Sequence, residues 1–241
     1  MIVQACLNGA RASDFHTRLP LKPEDMARDS ALSVAAGAAE LHLHPRGTDG
    51  NESLVAVDDA ILAVRRTCPG TLIGVSTGAW IENDENRTRA CIAQWRVLPD
   101  YASVNLSEHD APAVMELLRH RGVGIEAGLA SISDAERFVK LPNHGQVLRV
   151  LIEIEEQVLG AALKVADDIA AVLDRAGLRL PILLHGFDAT VWPFVEVALQ
   201  RRWSTRVGFE DGKHLKDGTI ATDNAALVAN AVNIFRGMSA N

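Results

Sequence analysis

Two short stretches of this chain hold residues that together could bind a metal. In Glu40-Leu41-His42-Leu43-His44 the histidines alternate with leucines. Read as a strand, whose side chains point to opposite faces at a period of two, the segment puts both imidazoles on one face and both leucines on the other. Two imidazoles so placed can chelate one cation, imidazole being a common ligand for zinc and related metals. A catalytic metal site also wants a third protein ligand, usually a carboxylate, and the run Arg206-Val207-Gly208-Phe209-Glu210-Asp211 offers Glu210. The alternative is a metal-free pairing of His42 and His44 with carboxylates such as Glu40 or Glu126. Glu40 has the inward parity but sits deeper, as a buried hydrogen-bonding residue or as support behind the ligands. Arg206, Gly208 and Glu210 also share parity, so a bend at Gly208 would let Arg206 lie beneath the metal site and hold Asp211, as part of the site or as a structural ion pair.

For these residues to meet, the chain must bring its second strand beside its last. Short apolar runs alternate with longer helical patterns eight times. The expected strands are Ile2 to Leu7, Ala39 to His44, Leu72 to Ser76, Ala102 to Asn105, Val123 to Glu126, Leu148 to Glu153, Ile182 to His185 and Thr205 to Glu210. Helices are expected at Pro23 to Ala36, Leu54 to Thr67, Glu85 to Val97, Ala111 to Arg121, Ser133 to Leu141, Glu156 to Ala176, Thr190 to Arg201 and Asp223 to Arg236. Pro23-Glu24-Asp25 suits a first helical turn, while Gly37, Gly122 and Gly177 each follow a helix as terminators. With no linker or composition shift, the expectation is a single α/β domain over residues 1–241, a (β/α)₈ TIM barrel. An open nucleotide-binding sheet would want a glycine-rich first turn, and Asn8-Gly9-Ala10-Arg11 has one glycine. In a closed barrel the eighth strand neighbours the first and the first neighbours the second, so Glu210 and the His pair meet across one strand.

Barrel active sites lie at the C-terminal strand ends. Here those ends are Asn8, His44, Ser76, Asn105, Glu126, Glu153, His185 and Glu210, a ring of polar groups. Ser76-Thr77-Gly78 could bring small donors to a substrate carboxylate, or could be a simple turn. Site candidates besides the ligands are Asp211, Arg206, Ser76 and Glu126, with Asn8, Arg11, Thr77, Gly78, Asn105 and His185 as candidates to surround a substrate.

Composition narrows the class. The chain has 241 residues, 48% of them apolar and 23% charged, and a formal net charge of −7. Its tightest basic group, Arg201, Arg202 and Arg206, is too small for a nucleic-acid footprint. No apolar run approaches the roughly 20 residues that span a bilayer, and no leader pattern opens the chain, so the expected location is the cytoplasm. Cys6, Cys68 and Cys91 are odd in number and scattered, which suggests neither a disulfide framework nor a thiolate metal site.

The chain also resembles a known family. Leu7 to Pro23, Gly37 to Arg46, Val75-Ser76-Thr77-Gly78, Ala102 to Asn105, Arg206 to Asp211 and Asp223 to Val228 look like the β-keto acid cleavage enzymes. That resemblance implies a zinc-dependent barrel, usually a homo-oligomer, in which a β-keto acid and acetyl-CoA give acetoacetate and a new acyl-CoA. It places His42, His44 and Glu210 on the family's metal ligands, Asp211 and Arg206 on its base and supporting arginine, and Ser76 near the keto acid. One departure stands out, because a member acting on an amino-substituted keto acid has glutamate where this chain has Arg11. A cation there would favour a substrate with a second anionic or neutral polar end. Other readings of the same ligands are another metal-dependent barrel aldolase or hydrolase, told apart by CoA dependence, and a non-catalytic metal-binding barrel.

Overall fold

The computed structural model describes residues 1–237. Eight parallel strands close into a barrel in sequence order, β8 returning to β1. They are β1 (Val3–Cys6), β2 (Glu40–Leu43), β3 (Leu72–Ser76), β4 (Tyr101–Asn105), β5 (Gly124–Leu129), β6 (Arg149–Ile154), β7 (Ile182–Gly186) and β8 (Ser204–Val207). The helices are α1 (Pro23–Ala35), α2 (Val57–Thr67), α3 (Glu85–Gln94), α4 (Ala111–His120), α5 (Ile132–Phe138), α6 (Leu159–Arg175), α7 (Val191–Gln200) and α8 (Asn224–Gly237). The expected barrel is thus the observed one, with its boundaries shifted by a few residues. None of the described helices is long and apolar enough to cross a membrane.

Local chemistry explains where helices start. Pro23 opens α1 with Glu24 and Asp25 in its first turn. The side chains of Asp84 and Ser131 accept the Arg87 and Asp134 amides at 2.7 and 3.1 Å, capping α3 and α5. The segment expected as one helix from Leu54 begins instead with a 3₁₀ turn, Leu54–Ala56.

Strand parity divides the interior in two. Outward side chains such as Ala5, Leu41, Leu43, Ile73, Val75, Val150 and Ile152 join the helices in one apolar core. The lumen is polar instead. Near the N-terminal ends, Arg149 bonds Glu126 at 2.6 Å and also pairs with Glu40. The Gln4 amide donates to the Tyr101 hydroxyl at 2.8 Å, and that hydroxyl donates to the Leu41 carbonyl at 2.8 Å.

Candidate active site at the barrel mouth

The geometry of the mouth begins with a glycine. A Cβ at Gly208 would lie 1.8 Å from the Cys6 carbonyl oxygen, so only glycine permits the close approach at which β8 leaves the sheet. The Asp211 and Gly212 amides then both donate to the Gly208 carbonyl, at 2.9 and 3.0 Å, while the Phe209 amide donates to Asn224 Oδ1 at 2.6 Å. This turn carries Glu210 and Asp211 back over the lumen. The strand expected to reach Glu210 therefore stops at Val207.

Register completes the convergence. Cys6 pairs with His42 across β1 and β2, and Gln4 with Arg206 across β1 and β8. Ligand atoms of His42, His44 and Glu210 all lie within 4.8 Å of one another. His42 Nε2 is 3.2 Å from His44 Nε2 and 3.9 Å from Glu210 Oε2, and His44 Nε2 is 3.4 Å from Glu210 Oε1. Glu52 meets His44 Nδ1 at 2.5 Å and also accepts from Trp80 Nε1 at 2.9 Å, turning Nε2 of His44 toward Glu210. Asn8 clasps the His44 backbone from both sides, its amide donating to the carbonyl and its oxygen accepting from the amide.

These contacts set the protonation states. Burial pushes His42 down to about 4, against the opposing pull of Glu210. Burial alone would also lower His44, but Glu210 and Glu52 outweigh it and raise the group to about 9. For Glu210, burial is outweighed by Arg206, His44 and His42, which hold the carboxyl well below its usual range. Glu210 Oε2 is buried with no partner. A neutral imidazole beside an anionic, partly unsatisfied carboxylate is a donor set that fits a divalent metal with an open coordination position.

Next to this cluster lies a second one. Arg206 donates to Glu210 Oε1 at 2.7 Å and, through Nη2 and Nε, to Asp211 Oδ1 at 3.0 and 3.2 Å. His185 stands between two carboxylates, Nε2 at 3.1 Å from Glu153 Oε2 and Nδ1 at 3.2 Å from Asp211 Oδ1. Burial and Arg206 push His185 down, yet Asp211 and Glu153 more than offset them, so its net shift is upward. For Glu153 the raising effect of burial is overcome by His185 and Arg206, which hold it low.

A cavity of about 660 Å³ opens above, lined by Arg11, His44, Asn105, Glu108, Glu153 and Glu210 among others. Of the substrate residues expected from the sequence, Arg11 and Asn105 line it, whereas Asn8, Thr77 and His185 are buried in supporting contacts. Thr77 Oγ1 donates to the Ser103 carbonyl at 2.7 Å, and Ser76 Oγ accepts the Gly78 amide at 3.3 Å.

Two expectations need correction. Glu126 is not a strand-end residue: β5 runs on to Leu129, and the carboxylate is wholly buried against Arg149, deep in the lumen. Arg11 is not a free cation, since it donates to the Glu210 and Asp211 carbonyls at 3.0 and 3.2 Å, pairs with Asp188 at 3.1 Å and stacks on Phe15. Because the other charged side chains of the cavity wall besides His44 are carboxylates, Arg11 no longer gives a reason to expect a second anionic end on the substrate. Glu52, Trp80 and Glu108 were not singled out in the sequence; all three sit in loops without periodicity.

A family model described as beta-keto acid cleavage enzyme matches residues 1–241. The 3-keto-5-aminohexanoate cleavage enzyme of Fusobacterium nucleatum is 23% identical over 254 residues, covering 98% of this chain and 91% of that protein. Among solved structures, ObcA with a C4-CoA adduct and oxalate aligns at a TM-score of 0.74 and 16% identity. That alignment covers 92% of this chain and 64% of ObcA, so the chain spans under two thirds of its length. A type I 3-dehydroquinate dehydratase from Clostridium difficile aligns at a TM-score of 0.64 and 11% identity, over 96% of this chain and 92% of that one. At these identities the solved structures speak for the fold.

Proposed function

This chain belongs to the beta-keto acid cleavage enzyme family, and from that premise we propose that it joins a β-keto acid to acetyl-CoA, releasing acetoacetate and a new acyl-CoA. His42, His44 and Glu210 would hold the divalent metal, zinc in this reading. The observation that carries it is the meeting of three ligand side chains from distant parts of the sequence, within 4.8 Å, at the edge of the cavity. ObcA, a neighbour in fold, is described with oxaloacetate and with a C4-CoA adduct, ligands of the two classes this reaction requires.

When bound, the metal supplies a Lewis acid that polarises the keto group. Everything else falls to the chain. His42, buried and neutral, offers a lone pair without first losing a proton. Glu52 fixes the ring of His44, as a carboxylate behind a ligating histidine commonly does. Arg206 grips Glu210 and Asp211 at once, tying the third ligand to the carboxylate that, by resemblance, acts as the base. Ser76, at the end of β3, would take part around the keto acid, as the resemblance implies.

Elemental analysis tests the centre of this proposal. Wild type is expected to carry about one zinc per chain, and His42→Ala and Glu210→Ala to lose it while remaining folded. Metal-loaded wild type should then convert some member of a β-keto acid panel to acetoacetate only when acetyl-CoA is present. A well-folded protein that takes up no metal would remove the proposal's foundation.

A further inference from the structure

The loops that ring the barrel mouth differ in charge. Residues 44–53, 77–84, 106–110, 155–158, 187–190 and 208–223 each hold more carboxylates than lysines and arginines. Residues 7–22, between β1 and α1, reverse the balance, with Arg11, Arg18 and Lys22 against Asp14. This loop is stitched to the one after β8. The Ala221 amide donates to the Lys213 carbonyl at 2.8 Å, the Ala221 carbonyl lies 3.0 Å from His16 Nε2, and the Arg18 amide donates to His16 Nδ1 at 3.1 Å. With Nδ1 accepting, the Nε2–H of His16 is the donor to Ala221. The imidazole packs on Phe209 with ring centroids 4.2 Å apart, so both loops are anchored beside the turn that presents Glu210. Two cations of this platform, Lys213 and Arg18, have no carboxylate partner among the described residues, in contrast to Lys216, which pairs with Glu196, and Arg11, which pairs with Asp188. Lys213 Nζ donates to the Phe15 carbonyl at 3.2 Å and lies 4.8 Å from the centre of the Phe15 ring, while Arg11 Cζ, at the cavity wall, lies 4.5 Å from that centre. Arg18 is exposed, and Asp217 is occupied by the amide and hydroxyl of Thr219.

We propose that Lys213 and Arg18 bind the phosphates of acetyl-CoA, with the pantetheine arm passing Arg11 into the cavity. This rests on the function proposed above, in which acetyl-CoA is the co-substrate. Its phosphates lie at the end remote from the thioester, across that flexible arm. Lys213 follows Glu210 by three residues, which keeps their Cα atoms within about 11 Å, so a phosphate held by Lys213 stands within the arm's reach of the metal cluster. Approach over the loops at 106–110 and 155–158 would set the same phosphates against Glu108, Asp110, Glu155 and Glu156. The platform on the β1 and β8 side meets them with opposite charge instead, which favours both encounter and orientation. Because these contacts are made equally before and during the reaction, they act on KM for the thioester and leave kcat largely alone.

Two thioester donors separate this assignment from the reaction itself. Cleavage of a β-keto acid by the zinc-loaded protein is measured with acetyl-CoA and with S-acetylpantetheine, which keeps the arm and the thioester but lacks the phosphates. Lys213→Gln combined with Arg18→Gln removes both charges and keeps a donor for the Phe15 carbonyl. Its KM for acetyl-CoA should rise about tenfold or more, the cost of losing a hydrogen bond to a charged group, while kcat/KM for S-acetylpantetheine should barely move. Adenosine 3′,5′-bisphosphate, titrated by calorimetry, should bind wild type and bind the double variant about tenfold or more weakly, and added salt should narrow that gap. An unchanged KM for acetyl-CoA, or an equal rise for both donors, would overturn the assignment and leave the proposed function standing. Wild type that cleaves no keto acid with either donor would overturn the proposed function, and this assignment with it.

Discussion

The lumen of this barrel holds two charged networks, one above the other, and they are built to different standards. The lower one joins Glu40, Arg149, Glu126, Gln4 and Tyr101 near the N-terminal ends of the strands. There one guanidinium serves two carboxylates, and a single side-chain atom, Glu126 Oε2, is left without a partner. The upper one joins His42, His44, Glu210, Arg206, Asp211, His185 and Glu153. It leaves His42 Nδ1, Glu210 Oε2 and Asp211 Oδ2 without a hydrogen-bond partner, and it opens into a cavity. An unsatisfied buried polar atom costs free energy, so a protein keeps several together only where something else completes them. The lower network stabilises the fold. The upper one stays open at the cavity, where the proposed metal and substrate would meet it.

The largest effect that could break this contrast comes from below. Arg149→Met removes the cation from two carboxylates, one of them wholly buried, and should cost about 3–5 kcal/mol of unfolding free energy, read by urea denaturation. Zinc affinity of the fraction that folds should match wild type. A loss under about 1 kcal/mol would mean the lower network is not the structural element described here. The next effect comes from above and reverses the pattern. Glu52→Gln weakens the hold on His44 Nδ1, so zinc affinity should fall about 10- to 100-fold in a competition titration while unfolding free energy shifts by less than about 1 kcal/mol. Unchanged affinity would show that Glu52 does not orient the ligand.

How much of the two networks could be read in the sequence follows from how each residue is held. His42 and His44 announce themselves because strand period fixes their face. Glu210 could be linked to them because eight βα units imply closure. Glu126 was misplaced for want of the same regularity: Ala127-Gly128-Leu129 carries β5 past it without a strong strand pattern, so a mid-strand ion-pair partner looked like a strand end. Glu52 was missed because it lies in the loop after β2, where position depends on tertiary contacts to His44 and Trp80. Arg11 was legible as a residue near the site but not as a clamp, since its acceptors are largely backbone carbonyls from the far end of the chain.

A third buried charge, outside both networks, gives the smallest effect and the sharpest check on how the mouth is supported. Asp29 on α1 accepts from Asn224 Nδ2 at 2.6 Å, and Asn224 in turn donates to the Leu7 carbonyl and accepts the Phe209 amide that begins the Glu210 turn. Its hydrogen-bond partner is an amide, not a cation. Burial therefore dominates, and it raises the carboxyl from 3.8 to about 6. The folded state holds this proton more tightly than the unfolded one, so the group's contribution to stability is greatest below pH 3.8 and is lost as pH rises through about 6. Asp29→Asn should consequently match wild type near pH 4 and exceed it near pH 7 by on the order of 1 kcal/mol, less than the full shift because an amide replaces the bond to Asn224 imperfectly. Thermal unfolding at both pH values reads the difference. A variant less stable at pH 7 would mean that the anionic bond to Asn224 outweighs burial, and that the Glu210 turn is held by a charge after all.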